Sequence, residues 1–137
     1  MVVGEIMTAE PIFATTEMSV EEVIEVLYEN DIRHLPIVDE DGDLVGIISD
    51  RDLRSFALPA LSEFDNREAI NDALASSITT IMTGDVISVD VETDVSEVID
   101  LMIQTRAGAV PVVDQDTQEL VGIVSYIDVL KALRDAL

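Results

Sequence analysis

The sequence predicts a mixed α/β protein in which two copies of one β-α-β-β-α unit follow each other along the chain. Three short segments carry this prediction, because each occurs twice, in the same order and at an almost constant spacing. The pairs are Ile6-Met7-Thr8 with Ile81-Met82-Thr83, Pro36-Ile37-Val38-Asp39 with Pro111-Val112-Val113-Asp114, and Gly46-Ile47-Ile48-Ser49 with Gly122-Ile123-Val124-Ser125. The last pair continues to Asp52 and Asp128, so a Gly-x-x-Ser-x-x-Asp motif stands at the same place in both copies.

Each copy contains a helix whose start is marked by a capping pair of residues three positions apart. The pairs are Ser19 with Glu22 in the first copy and Asp94 with Glu97 in the second. Apolar residues follow at the i, i+3, i+4, i+7 spacing of an amphipathic helix, as in Val20, Val23, Ile24 and Leu27. We expect the two helices to end near Asn30 and Thr105.

Short extended segments precede these helices, and two strands and a second helix follow them. The expected extended segments are 12–14, 34–38 and 44–48 in the first copy, and 87–89, 109–113 and 120–124 in the second. Between the copies, Pro59 is expected to break any continuous helix, and a separate helix is predicted from Asn66 to Ser76. The predicted boundaries are 1–57 for the first repeat, 58–77 for a linker and 78–137 for the second repeat.

The Gly-x-x-Ser-x-x-Asp motif lies where a strand is expected to turn into a helix. Ser49 and Ser125 then occupy N-cap positions, with Asp52 and Asp128 three residues on, which is the spacing of a capping box. The same geometry brings together a hydroxyl, a carboxylate and the unpaired N–H groups of a helix start, which suit a nucleotide phosphate and ribose. A cap does not require the preceding glycine, whereas a ligand lying close to the backbone does. The sequence leaves both roles open, and they can coexist.

Charge is the most unusual property of the composition. The chain has 29 acidic and 7 basic residues, a net charge of −22, and Lys131 is its only lysine. Such a surface repels nucleic acid and anionic membranes, so neither is expected as a partner. Hard cations prefer carboxylate ligands, but the acidic residues are dispersed, and no metal site is predicted. The composition resembles that of proteins from extremely halophilic archaea, in which salt screens the repulsion.

Several other classes of protein are disfavoured by the composition. The chain has no cysteine, hence no disulfide framework or thiolate metal site. No apolar run approaches the roughly 18 residues of a membrane helix, so a soluble cytoplasmic protein is expected. A single histidine, without a Ser-His-Asp or metal-ligand constellation, argues against an enzyme.

The ordered set of motifs resembles a pair of cystathionine-β-synthase (CBS) domains, the Bateman module, over nearly the whole chain. The Met-Thr openings, the strand Arg33-His34-Leu35-Pro36-Ile37-Val38-Asp39 and the repeated Gly-x-x-Ser-x-x-Asp carry the resemblance. It implies two repeats packed by a pseudo-twofold axis and a regulatory rather than a catalytic role. Two clefts would bind adenine nucleotides or related adenosyl ligands, such as AMP, ADP, ATP or an S-adenosyl compound, with no cofactor required.

The resemblance also implies roles for individual residues. Asp52 and Asp128 would hold ribose hydroxyls, and Ser49 and Ser125 would lie near the phosphates. The opening segments, around Ile12 to Thr15 and Ile87 to Asp90, would offer backbone groups to the adenine edge. Apolar residues of the following strand would either wall the clefts or pack in the core: Pro36, Ile37, Val38, Pro111, Val112 and Val113.

Basic residues are scarce enough that their positions are informative. Those beside or inside the first-repeat motifs are Arg33, His34, Arg51 and Arg54, and their second-repeat counterparts are Gly108, Ala109, Ile127 and Leu130. Arg106 is the main cation of the second repeat. Either these side chains contact a ligand phosphate, or they pair with surface carboxylates, with His34 as a structural hydrogen-bonding group. The two clefts are expected to differ in their affinity for phosphorylated ligands.

Two other functions remain open: a ligand-independent dimerisation or protein-interaction module, and a cation-responsive regulatory domain supported only by the acidic surface. The resemblance also implies an effector protein as a partner. The last helix carries a broad apolar surface, formed by Ile127, Val129, Leu130, Leu133 and Leu137. A twofold homodimer is therefore expected.

Overall fold

The structure, a computed structural model, describes the backbone of residues 1–61 and 67–137 and the side chains of residues 1–57 and 67–137. The strands are β1 (Thr8–Ala9), β2 (Ala14–Thr15), β3 (His34–Val38), β4 (Leu44–Ser49), β5 (Ala109–Val113) and β6 (Leu120–Ser125). The helices are α1 (Val20–Asn30), α2 (Asp50–Leu61), α3 (Arg67–Ala75), α4 (Val95–Thr105) and α5 (Tyr126–Ala136), with 3-10 turns at Val3–Glu5 and Ile78–Thr80. The predicted mixed α/β class is confirmed.

The chain folds into two compact units. The first unit consists of Ile12–Asp41 and Val45–Asp85 and contains α1, α2 and α3 with the sheet β2-β3-β4. The second unit consists of Met1–Pro11, Gly42–Leu44 and Val86–Leu137 and contains α4 and α5 with the sheet β1-β6-β5. In the first sheet β2 runs parallel to β3, and in the second β6 is antiparallel to both β1 and β5.

The Met-Thr opening of each sequence repeat pairs with a strand of the other repeat. Thr8 of β1 pairs with Ile123 of β6. Thr83 exchanges two backbone hydrogen bonds with Ile47 of β4, with N···O distances of 3.0 and 3.2 Å. Each compact unit therefore contains segments of both repeats. The sequence did not reveal this exchange, because the repeat pattern orders segments along the chain and not in space.

The exchange explains the glycine of each Gly-x-x-Ser-x-x-Asp motif. A Cβ atom on Gly46 would lie 2.5 Å from Sδ of Met82 and 3.2 Å from the carbonyl oxygen of Thr83. A Cβ atom on Gly122 would likewise lie 2.5 Å from Sδ of Met7. Both approaches are too close for a side chain in a well-packed interior. The expectation that a bound ligand requires these glycines is therefore wrong, because a methionine of the protein occupies the space.

Each unit has its own apolar core. Leu35 and Ile37 of β3 lie in the first core with Ala14, Val20, Val23, Leu27, Ile48, Leu53 and Ile78. Val110 and Val112 of β5 lie in the second core with Val3, Val89, Val98, Val124 and Val129. Because side chains alternate along a strand, the other residues of β3 and β5 lie on the opposite face of each sheet.

The helix starts agree with the predicted caps, with one correction. Ser19 accepts the N–H of Glu22 and donates its own N–H to the Glu22 carboxylate, both at 3.2 Å. Asp94 instead accepts the N–H of Ser96 at 2.9 Å, so the predicted reciprocal pair with Glu97 is wrong. The backbone hydrogen bond from Ser96 holds the pKa of Asp94 below its ordinary value.

The prediction that Pro59 breaks the helix is wrong, because α2 continues through this position to Leu61. A proline removes one N–H donor from the ladder, and near the end of a helix few further bonds depend on it. α3 matches the separate helix predicted from Asn66, although that residue lies outside the described part of the chain. Among the described residues, no helix has the length and apolar character needed to cross a bilayer.

Candidate ligand-binding site

One face of the first-unit sheet carries several of the predicted site residues. His34, Pro36 and Val38 lie on the face of β3 that is opposite the core residues. Thr15 pairs with Val38 in the parallel register of β2 and β3, so its side chain lies on the same face. Pro36 is fully buried, whereas Ile12, which precedes β2, is 44% exposed.

The second unit repeats this arrangement with different side chains. Val89 pairs in parallel with Val112, which places the following residue, Asp90, at the position that Thr15 holds in the first unit. Pro111 is fully buried, and Ile87 is 49% exposed. In each unit the predicted strand residues thus share one sheet face with a buried proline, and an exposed isoleucine precedes the segment that pairs in parallel with that strand.

The first motif forms a reciprocal capping box at the start of α2. The N–H of Asp52 donates to Oγ of Ser49 at 3.1 Å, and the N–H of Ser49 donates to Oδ2 of Asp52 at 2.9 Å. Within the described side chains, Oδ1 of Asp52 has no hydrogen bond. One carboxylate oxygen therefore caps the helix, and the other remains available to a hydroxyl donor.

The second motif forms the same box at the start of α5. The N–H of Asp128 donates to Oγ of Ser125 at 3.2 Å, and the N–H of Ser125 donates to Oδ2 of Asp128 at 2.9 Å. The Ser125 hydroxyl also lies 3.1 Å from Oδ2. Both capping boxes suggested by the sequence are thus present, and neither uses the second carboxylate oxygen in the part of the chain described.

Backbone hydrogen bonds join the start of β3 to the start of α2. The N–H of Asp50 donates to the carbonyl oxygen of Arg33 at 2.9 Å, which brings Arg33 and His34 to the capping box. Burial lowers the pKa of His34 below its ordinary value, while the carboxylates of Asp50 and Asp52 oppose the shift. Burial therefore disfavours the charged form of the imidazole. In the second unit the N–H of Tyr126 donates to the carbonyl oxygen of Gly108 at 3.0 Å.

The arginines of the first motif have different environments. Arg54 forms a bidentate ion pair with Asp50, with Nη2 at 2.6 and 2.9 Å from the two carboxylate oxygens. Arg33 and Arg51 are exposed, and neither forms an ion pair with another described residue. The alternative that arginines pair with surface acids therefore holds for Arg54. The other two guanidinium groups are available to an anion.

Two side chains of the second unit were not predicted from the sequence as parts of the candidate site. Asp90 occupies the Thr15 position, and its Oδ1 accepts the N–H of Glu92 at 2.8 Å. Tyr126 occupies the Asp50 position at the helix start and is 46% exposed. The constant spacing of the repeats, applied to the residues between the motifs, would have identified both.

Comparisons with known proteins give consistent results. The family model of the CBS domain matches residues 3–58 and 76–135. The chain is 31% identical, over 97% of its length, to a CBS domain-containing protein of Dictyostelium discoideum, and it covers 91% of that protein. It is 36% identical, over 93% of its length, to an L-aspartate semialdehyde sulfurtransferase of Methanocaldococcus jannaschii, but it spans only 22% of that relative.

Solved structures of domain pairs are similar over almost the whole chain. A CBS domain pair crystallised with 5′-methylthioadenosine and S-adenosyl-L-methionine superposes with a TM-score of 0.82 at 33% identity, covering 100% of this chain and 98% of that one. CBSX2, crystallised with AMP, superposes with a TM-score of 0.82 at 27% identity, covering 98% and 97% of the two chains.

Proposed function

This chain belongs to the CBS domain family, and we propose that it is a regulatory module that binds adenosyl ligands at the capping boxes of its two units. The observation that carries the proposal is the matched pair of boxes, each with one carboxylate oxygen without a hydrogen bond among the described residues. A carboxylate oxygen at a helix start suits ribose hydroxyls, and the first-turn N–H that the cap and the strand leave over, that of Arg51 or Ile127, suits an anion. Similar domain pairs crystallise with adenosyl ligands, which supports the assignment.

The role that we propose is regulatory and cytoplasmic rather than catalytic. The boxes supply hydrogen-bonding groups, and each motif carboxylate is already held by a helix cap, which suits binding better than proton transfer. Binding of an adenosyl ligand would instead shift the populations of conformations that an effector protein recognises. A homodimer and an effector protein are the partners that we propose.

Calorimetric titration of the full chain with AMP and with 5′-methylthioadenosine tests the proposal. Asp52→Ala and Asp128→Ala should each weaken binding at one site by about tenfold or more, because a hydrogen bond to a charged group contributes about 1.5–3 kcal/mol. Ser19→Ala is the matched control, since it removes the same kind of cap from α1. It should lower stability by about 0.5–2 kcal/mol and leave both affinities unchanged.

Two results would contradict the proposal. If both aspartate variants lost stability but kept the wild-type affinities, the acids would be caps only. If the wild-type chain bound no adenosyl ligand, a ligand-independent interaction module would be favoured, consistent with the exposed apolar residues of α5.

A further inference from the structure

The two candidate sites share their capping boxes but differ in charge. We infer that the first-unit site selects adenosyl ligands with a 5′-phosphate, and that the second-unit site selects those with an uncharged or cationic 5′ substituent. This inference rests on the proposed function and assigns a ligand class to each of its sites.

The first-unit site is cationic around the start of α2. Arg33 is held at that point by the hydrogen bond from Asp50, and Arg51 lies in the first turn of the helix. The charge of Asp50 is balanced by its bidentate pair with Arg54. The exposed guanidinium groups of Arg33 and Arg51 thus have no ion pair among the described residues. The N–H of Arg51 and the imidazole of His34 can also donate to a phosphate.

The second-unit site has no counterpart of Arg33 or Arg51. Gly108, Ala109 and Ile127 stand at the positions of the first-unit arginines and histidine. Tyr126 and Ile127 are 46% and 42% exposed at the start of α5, so the site edge is aromatic and apolar. Arg106 occupies the C-cap of α4, and its counterpart in the first unit is the αL residue Asp31, so it does not correspond to Arg33 or Arg51.

The second-unit site also gains a carboxylate at the position of a hydroxyl. Asp90 follows the Val89–Val112 bridge and therefore lies on the sheet face that Thr15 occupies in the first unit. Its Oδ1 accepts the N–H of Glu92 at 2.8 Å and lies 3.4 Å from the Thr93 hydroxyl. These two hydrogen bonds fix the orientation of the Asp90 carboxylate.

These differences select ligands by charge. A phosphate monoester carries about −1.5 to −2 charges at neutral pH, and charge-assisted bonds to guanidinium groups are the strong ones. In the second-unit site, Asp90 and Asp128 would repel this phosphate, and no arginine stands at the positions of Arg33 and Arg51. A methylthio group can pack against Tyr126 and Ile127, whereas a sulfonium would be attracted by the two carboxylates.

Sequential titration separates the two sites in the wild-type protein. AMP and 5′-methylthioadenosine should each bind at one site per chain, and saturation with 5′-methylthioadenosine should leave the AMP affinity unchanged. Raising potassium chloride from about 0.1 M to about 1 M should weaken AMP binding, because salt screens the attraction between the phosphate and the arginines. Binding of 5′-methylthioadenosine, which carries no phosphate, should stay nearly constant. Competition of the two ligands for one site would overturn the inference while leaving the proposed function intact.

An exchange variant tests the residues directly. Arg33→Gly, His34→Ala and Arg51→Ile, combined, should weaken AMP binding about 100-fold or more and leave 5′-methylthioadenosine binding unchanged. Arg67→Gln with Arg134→Gln is the control, since it removes two positive charges elsewhere and should leave the AMP affinity nearly unchanged. Wild-type AMP affinity in the exchange variant, or loss of AMP binding in Arg106→Gln, would overturn the inference.

If the exchange variant fails to fold, the wild-type competition and salt dependence decide. Failure of both ligands to bind would instead remove the proposed function, and the inference with it.

Discussion

At the scale of single residues, the glycine of each motif is fixed by a contact with a methionine and a backbone carbonyl. Gly46→Ala should lower the free energy of unfolding by about 1–3 kcal/mol, the usual cost of overpacking, because the Met82 side chain can move but the Thr83 carbonyl cannot do so freely. Denaturant unfolding measures the change. Gly84→Ala is the control, since a Cβ there would meet nothing within 4 Å. Equal stability of the two variants would show that the contact carries no constraint.

His34 is the only histidine of the chain, so its imidazole can be followed alone by NMR. Its pKa should lie below 6.5, because burial disfavours the charged ring. Asp52→Asn should lower the pKa further, since that carboxylate opposes the effect of burial. A pKa at or above 6.5 in the wild-type protein would contradict the burial of His34.

The sign of the His34 contribution to stability follows from linkage. The unfolded chain binds the proton more tightly than the folded one, so the stabilising contribution is complete above pH 6.5 and declines as the pH falls toward the folded pKa. As the pH falls from 6.5 toward the folded pKa, the wild type should therefore lose unfolding free energy relative to His34→Ala. A constant difference would argue against a perturbed histidine.

The sequence predicted where the two capping boxes form, but it could not show whether a ligand also uses their atoms. Ser49 and Asp52 were identified by spacing, but a cap and a ligand use the same atoms, so spacing cannot separate the two roles. Arg33 and Arg54 carry the same charge in the sequence, yet only Arg54 stands four residues after an aspartate on one helix. That i, i+4 spacing signals an ion pair and could have removed Arg54 from the candidates.

At the scale of elements, local signals gave accurate boundaries. Caps and apolar periodicity predicted the ends of α1 and α4 at Asn30 and Thr105, and the four longer strands were placed within one residue. β1 was missed because a two-residue strand has no periodicity and depends on a partner strand far along the chain. The extension of α2 through Pro59 was not predicted, because the low helix propensity of proline describes helix interiors and Pro59 lies near the end of the helix.

The apolar face of α5 predicts self-association. Leu130 and Leu133 share one face of the helix and are 55% and 47% exposed, and the C-cap residue Leu137 that follows is fully exposed. A second copy of the chain would bury this face about a twofold axis. Light scattering should give about twice 14.9 kDa for the wild type.

Leu130→Gln should shift the protein toward the single-chain mass, because it places a polar group at the centre of the expected interface. The matched control is Lys131→Gln, an exposed neighbour outside the leucine face, which should remain dimeric. A single-chain mass of 14.9 kDa for the wild type would contradict the expected dimer.

At the scale of the whole molecule, the repeat order could be read from the sequence but the exchange of opening segments could not. Ile6-Met7-Thr8 and Ile81-Met82-Thr83 are identical in sequence, so nothing in them indicates which sheet each one joins. The structure resolves this by pairing each opening with the strand of the other repeat. Single-repeat fragments would lack the methionine that packs on their motif glycine, which is a physical reason for the two repeats to fold in one chain.

The net charge of −22 belongs to the molecule as a whole and predicts how its stability depends on salt. Exposed carboxylates repel one another, and screening shortens the range of that repulsion from about 10 Å at 0.1 M salt to about 3 Å at 1 M. The melting temperature should therefore rise as potassium chloride increases over this range, as scanning calorimetry can measure. A flat or falling melting temperature would remove the interpretation of the surface as an adaptation to high salt.

A charge variant separates screening from a general effect of solutes. Glu25 and Glu29 are exposed on α1, and Glu29 also lies in the last turn, where the negative end of the helix dipole disfavours it. Glu25→Gln with Glu29→Gln should raise the melting temperature at about 0.1 M salt and reduce the gain produced by about 1 M salt. Sucrose, which stabilises by exclusion and not by screening, should raise the melting temperatures of the variant and the wild type equally. If the variant kept the full salt gain, repulsion among the carboxylates would not be its source.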